Sequence, residues 1–503
     1  MSPGWALPRL RPSLDHVLEA IETAVIAVPE RPSGYVVNVI VRRVDNIYTA
    51  GRAISRLGEA NPVLPSWRWS CGSHNILRPD LAAGSFNPGP EGPSCLWLAR
   101  EIPLPLSTGD KTYTARLAQA LVAAGASVTF MGLATSTAAS RPAAEAFEDR
   151  IEWGIVPGRP NSTVLALASP LPLVAARFST RNYAQQLKRM LLTRDFDAII
   201  LDQYAMAGAI HHIQRSERNG ARPLIVYIAH NFETKLSADT VRDFRGDRFR
   251  KIALQANARK TANAERRLAR AADIIVTLTT EDANSLAPLS PASAKLALPP
   301  GYNGPRAPDR QIGQATPRRV VIVGAYRWTP KQMNLSAFLE AADPILQHAG
   351  IGIDVVGEMP ESLRQAWEVR VKATRFHGFV EDLGEFLTAR RMGLVIEQTG
   401  GGFKLKTLDY IFNRVPIAAI RGCIAGLPLT PGLHYLSYKS MRELAQGIAA
   451  MIDDLARLNS MQQAAYERCN GDFDWTDRGQ ILCNAIRRAG NQLRAGLQGR
   501  SAL

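Results

Sequence analysis

"GLVIEQTGGGFKLKTLDYIFNRVPIAAI", Gly393 to Ile420, holds a complete structural unit in one short stretch. GLVIEQ (393–398) is a continuous apolar run, the pattern of a strand covered on both faces. Thr399 to Gly402 supply a flexible turn, and FKLKTLDYIFN (403–413) reads as a short helix. Pro416 stops that helix, because proline cannot continue the ladder and biases Val415 toward an extended backbone. VPIAAI (415–420) is then the next strand. Strand, helix and strand in this order are the repeating piece of a parallel α/β sheet.

Outward from this unit the same alternation fills the chain. RVVIVGAY (319–326) and IGIDVVGE (351–358) precede it; CLWLA (95–99), SVTFMGL (127–133), DAIILDQ (197–203), PLIVYIAH (223–230) and ADIIVTLT (272–279) occupy the first half. Two doubly wound, Rossmann-like sheets are expected. Between them, residues 287–317 are rich in Pro, Gly, Ser and Ala, a linker composition. The domain boundaries expected are an N-terminal extension of unread role over 1–93, a first Rossmann-like domain over 94–300, a linker over 301–317, a second domain over 318–474, and a final helix over 475–503. Within the extension, residues 33–62 suggest a strand and a helix, and the stretch after them is loop-like. The last segment is basic and amphipathic, which fits a solvated helix face better than a membrane contact.

Length and composition agree with this division. A chain of 503 residues, 46% hydrophobic and 21% charged, is globular and long enough for two or three cores. Its formal net charge of +15 predicts attraction for anions: nucleotides, acidic headgroups or nucleic acid. The lysines and arginines are dispersed and no nucleic-acid-binding motif occurs, so nucleic acid is not an expected partner. Five scattered cysteines without a C-x-x-C pair indicate neither a disulfide framework nor a zinc site. Acids and prolines interrupt the N-terminal apolar part, and no run reaches the roughly 18 apolar residues of a membrane span. A cytoplasmic protein is expected, with peripheral contact at the inner face of the membrane left open.

In open α/β sheets ligands bind beyond the carboxyl ends of the strands. Three loops there carry candidate chemistry. Gly109, in STGDK, sits where a strand turns into a helix, where free amides favour an anion, although plain turn chemistry also explains it. His230 lies at a strand end, not inside a core. Gly400, Gly401 and Gly402 precede Lys404 and Lys406, the construction of a phosphate site without the G-x-x-x-x-G-K-[ST] of a P-loop. Asp409 shares a helix face with Lys406. It is placed to bind a ribose hydroxyl pair, or else to form a surface salt bridge with that lysine.

The ordered set of stretches STGDK, AHNFE, NAERRLARAADIIVTLTTEDANSLAPL, VIVGAYRWTPKQMNLSAFLEAADPIL, FHGFVEDLGEFL and GGGFKLKTLDYIFNRVPIAAI resembles bacterial GT-B glycosyltransferases of the family-4-like, retaining group, over roughly residues 94–485. The resemblance implies a GT-B architecture, two Rossmann-like doubly wound domains facing across a cleft, with the final helix over 475–503 crossing back to the first domain. It implies transfer of a hexose-type sugar from a UDP- or GDP-sugar, with retention and without a metal or other cofactor, to a glycan, lipid-linked or small-molecule acceptor in polysaccharide biosynthesis. Gly109 is similar to the family's N-terminal glycine loop, His230 to its donor-facing histidine, and Arg327 with Lys331 to the basic pair that neutralises the diphosphate. Asp409 stands where many relatives have the second glutamate of E-x7-E, which holds the ribose. The first glutamate of that motif is Gly401 here, a departure; the Gly401 and Gly402 amides and Glu397 are the alternatives for that role. No D-x-D marks a divalent-ion site. A catalytically silent GT-B scaffold is the alternative that the departure at Gly401 motivates.

Overall fold

A computed structural model describes residues 92–134, 137–214, 222–398 and 401–501. The extension read over 1–93, its suggested strand and helix included, lies outside the described residues except for its last two positions, as do Thr399 and Gly400.

The first half forms a seven-stranded sheet: β1 (Ser94–Glu101), β2 (Ser127–Ala134), β3 (Glu152–Pro157), β4 (Ala198–Asp202), β5 (Leu224–Ala229), β6 (Ile274–Thr277) and β7 (Ala294–Ala297). The order is β3-β2-β1-β4-β5-β6-β7 and every pairing is parallel. The second half forms a six-stranded parallel sheet, ordered β10-β9-β8-β11-β12-β13. Its strands are β8 (Arg319–Val323), β9 (Gly352–Val356), β10 (Thr374–Gly378), β11 (Met392–Val395), β12 (Ile417–Ile420) and β13 (Leu436–Tyr438). The opening stretch is thus β11, a helix and β12, with Gly393 registered against Ile417.

Continuous apolar runs follow from double coverage. In β1, Cys95, Trp97 and Ala99 enter one buried cluster, while Leu96 and Leu98 enter the cluster on the other face. Alternate residues of a strand point to opposite faces, so a strand with helices on both sides needs apolar residues at every position.

Both sheets reverse direction of growth beside their first strand, between β1 and β4 and between β8 and β11. Such switch points open a crevice at the carboxyl ends of the strands. Four helices matter for what occupies it: α1 (Gly109–Ala123) after β1, α2 (Thr329–His348) after β8, α3 (Lys406–Phe412) between β11 and β12, and α4 (Trp475–Ser501) at the end. Both sheets lie in the same compact unit of the chain.

The helix α4 packs against α1. A Cβ on Gly479 would collide with the Ala120 carbonyl, so glycine there lets the two backbones approach closely. Arg478 Nε donates to the Pro299 carbonyl at 2.9 Å. Leu482, Cys483 and Ile486 are buried, so the apolar face of this basic amphipathic segment is covered by protein.

Candidate functional site

The carboxyl ends of the two sheets meet. Gly109, the first residue of α1, lies so near Leu405 that an added Cβ would be 2.8 Å from its Cδ1. Gly402 has φ +67 and lies against the turn after β5; a Cβ there would be 2.6 Å from the His230 carbonyl oxygen and would collide with the Asn231 side chain. Two of the glycines that the sequence singles out therefore sit where the halves of the molecule touch. Gly401 makes only an ordinary contact, 3.4 Å from Asn231 Cβ to its would-be Cβ.

On the C-terminal side, Glu397 follows β11 and is 8% exposed. Its Oε1 is 2.5 Å from Lys406 Nζ, which also donates to the Val323 carbonyl at 3.0 Å. Lys404 Nζ bonds back to the carbonyls of Gly401 and Gly402. Lys331, in the first turn of α2, completes a group of three ammonium side chains around one carboxylate. Burial raises the cost of charge on Glu397, but Lys406, Lys404 and Lys331 outweigh it and hold its carboxyl below the usual range. Burial likewise lowers Lys331 and Lys404, with Lys406 adding repulsion to both. Glu397 Oε2 and the Tyr326 hydroxyl are buried without a hydrogen-bond partner among the described residues.

Asp409 is half-buried on α3. Lys406 turns to Glu397 instead, so the i,i+3 salt bridge left open by the spacing does not form. Burial pushes the Asp409 carboxyl up to about 6. Arg327 stands apart from this group: it is half exposed and pairs with Glu358 at 2.8 Å beyond β9.

On the N-terminal side, His230 is 7% exposed and its Nε2 lies 2.8 Å from Asp202 Oδ1, at the end of β4. The Tyr113 ring meets the imidazole edge-on at 5.1 Å. Asp110 receives Arg100 Nη2 at 2.8 Å. Burial opposes its ionisation, and the Arg100 charge prevails, holding the carboxyl well below the usual range.

The structure thus brings Gly109, His230, Glu397, Gly401, Gly402, Lys331, Lys404 and Lys406 to the facing strand ends, with Asp409 on the adjoining helix and Arg327 on the rim. Asp110, Asp202, Asn231 and Tyr326 join them without having been singled out by sequence. The one available signal was position, since Asp202 closes an apolar run in the same way that His230 does. Among the described residues no group of three His, Cys, Asp or Glu side chains is placed to hold a metal ion.

Comparison with known proteins agrees with this architecture. Residues 108–301 match the Glycosyl transferase 4-like domain family, and residues 317–454 match the Glycosyl transferases group 1 family. No curated protein sequence matches the chain. Among solved structures it is similar to sucrose-phosphate synthase from Thermosynechococcus elongatus, at 14% identity and a TM-score of 0.57 over 79% of this chain and 98% of that one. It is similar to HepE of Anabaena in complex with UDP and glucose, at 16% identity and a TM-score of 0.52 over 78% and 99%. A TarM mutant of S. aureus in complex with fondaparinux, alpha-GlcNAc-glycerol and UDP gives 9% identity and a TM-score of 0.55 over 80% and 99%. At these identities the likeness establishes the shared GT-B fold.

Proposed function

We propose that this chain, which belongs to the family-4-like GT-B glycosyltransferases, transfers a sugar from a nucleotide-sugar donor to a hydroxyl of a glycan, lipid-linked or small-molecule acceptor, with retention and without a metal. The observation that carries the reading is the lysine group around Glu397. Three cations against one carboxylate leave an excess of positive charge at the switch point of the second sheet, and Asp409, on the adjoining helix α3, has no salt-bridge partner among the described residues. A diphosphate offsets that excess, and the ribose hydroxyls donate to Asp409.

The chemistry follows from where charge develops. Breaking the bond between sugar and phosphate leaves a cationic sugar and an anionic nucleoside diphosphate, so the main task is to stabilise negative charge on phosphate. Lys404, tied to the Gly401 and Gly402 carbonyls, and Lys331, like it partly desolvated, supply that stabilisation. In this reading Lys406 holds Glu397 beside the sugar, taking the place of the family glutamate absent at Gly401, and Phe379, 79% exposed just after β10, offers a face to the base. HepE and TarM have been seen with UDP, which makes UDP-sugars the first donors to try.

Peripheral membrane contact, if made, uses the N-terminal half. Phe249 and Ile252 are 56% and 59% exposed on the helix Arg248–Ala271, whose outer face also carries exposed Arg248, Arg259, Arg266 and Arg267. Apolar tips among cations match an anionic lipid surface. No helix among the described residues is long and apolar enough to cross a membrane.

The test is a thermal-shift screen with UDP-, GDP-, ADP- and dTDP-sugars. A ligand at 100 times its dissociation constant stabilises by about 2.7 kcal/mol, and one nucleotide series is expected to do so. No shift with any of them would remove the transferase reading. Binding without transfer or donor hydrolysis would favour the silent scaffold instead.

A further inference from the structure

We propose that Asp202 is the positioning residue for His230, and that it restricts the histidine to partners that donate a hydrogen bond, the chemistry of a sugar hydroxyl and not of a phosphate oxygen. The identity of the partner rests on the transferase reading; the tautomer does not.

Asp202 is 2% exposed, and its carboxylate is engaged from three sides. Oδ2 accepts from Trp97 Nε1 at 3.1 Å and from Thr114 Oγ1 at 2.6 Å, while Oδ1 faces His230 Nε2 at 2.8 Å. An indole nitrogen can only donate, so Oδ2 is an acceptor. A carboxylate held this way requires a donor at Oδ1 as well, which places the imidazole proton on Nε2. In the neutral ring Nδ1 then carries a lone pair. Gln203 Nε2 lies 3.5 Å from it and equally far from Asp110 Oδ2. Neither approach is a good hydrogen bond.

The space next to this cluster bears on the charge of what can approach it. A small hollow open to solvent is lined by Arg100, Glu101, Asp110, Lys111, Thr114, Asp202 and Gln203, and Gln203 reaches from it to within 3.5 Å of Nδ1. Its charges are matched internally: Arg100 pairs with Asp110 at 2.8 Å and with Glu101 at 3.2 Å, and Lys111 with Glu101 at 3.5 Å. An anion entering finds no unpaired cation, in contrast to the lysine group across the crevice. A neutral, hydroxyl-rich group finds donors and acceptors there, with the Nδ1 lone pair behind the long Gln203 contact.

Long-range proton–nitrogen NMR of the histidine rings tests this, with His230 assigned by its loss in His230→Asn. The protein without ligand is expected to show His230 protonated on Nε2. In Asp202→Asn the amide oxygen keeps Trp97 and the amide nitrogen donates to the ring, so the proton moves to Nδ1, the tautomer reversal known for an orienting aspartate replaced by asparagine. A His230 already protonated on Nδ1, or a tautomer unmoved in a folded Asp202→Asn, would overturn the proposal. If that variant does not fold, the parent spectrum still decides the tautomer. Glucose at high concentration is expected to shift Nδ1, and inorganic phosphate is not. A response to phosphate alone, or to neither, would overturn the hydroxyl assignment. Because no nucleotide is present, failure here is separate from failure of the donor screen.

Discussion

At the residue scale, Asp409 shows how a site opposes stability. Its folded carboxyl is pushed up to about 6 by burial, against about 3.9 in an unfolded chain. The folded state therefore binds more protons between those values, and stability falls as pH rises from about 4 through about 6. Asp409→Asn is expected to raise stability at pH 7.5 by about 1–3 kcal/mol and to change it little at pH 4, as read by urea unfolding at both values. The same variant should bind UDP more weakly, and the parent's affinity should fall as pH drops below about 6, because ribose hydroxyls need the ionised acceptor. A variant neither stabilised nor impaired would return Asp409 to an ordinary helix surface. The glycines separate in a comparable way. Gly402, not Gly401, adopts the left-handed backbone and abuts His230, so Gly402→Ala should cost about 1–3 kcal/mol and Gly401→Ala much less, by thermal melts. Equal losses would contradict the contact. The glycine run was legible in the sequence; which glycine carries the constraint depends on a residue roughly 170 positions away. The pairing of Asp202 with His230 was hidden for the same reason, since two strand ends become neighbours only when β4 and β5 pair.

At the element scale, the central strands were legible and the edges were not. β1, β2, β4, β5, β8 and β9 are continuous apolar runs because both faces are covered. β7 and β13 are short and half-exposed edge strands, and β10 alternates between exposed and half-buried, so their composition resembles loop. β7 lies inside the stretch whose composition reads as linker. β3, the other edge, begins with an exposed glutamate. The helix expected from Phe403 starts at Lys406, because Lys404 folds back on the glycine carbonyls and holds the intervening residues as a loop. Helix docking adds a prediction. Gly479→Leu should push α4 off α1 and cost about 3 kcal/mol or more, whereas Gly471→Ala, with nothing within 4 Å of its would-be Cβ, should stay within about 0.5 kcal/mol. Chemical denaturation of both variants checks this, and a tolerated Gly479→Leu would mean that the two helices do not cross closely in solution.

At the scale of the whole molecule, the alternation of strands and helices identified two doubly wound sheets, and the net charge of +15 pointed to an anion without placing it. Many of the surplus arginines and lysines are dispersed, whereas three lysines brought together by β8, β11 and α3 make a local excess at the strand ends. That gathering depends on topology, because α2 and α3 follow strands that sit side by side while Lys331 and Lys406 are 75 positions apart. The central claim is that this excess holds a nucleoside diphosphate. Calorimetric titration of UDP into the parent and into Lys331→Ala, after both are shown to melt alike, tests it most directly. Lys331 makes no side-chain hydrogen bond or ion pair among the described residues, so its removal leaves the fold intact while taking one charge-assisted contact, about 1.5–3 kcal/mol, from the ligand. The account predicts that UDP binds the parent and that Lys331→Ala weakens it by about tenfold or more; equal affinity in the two folded proteins would contradict it.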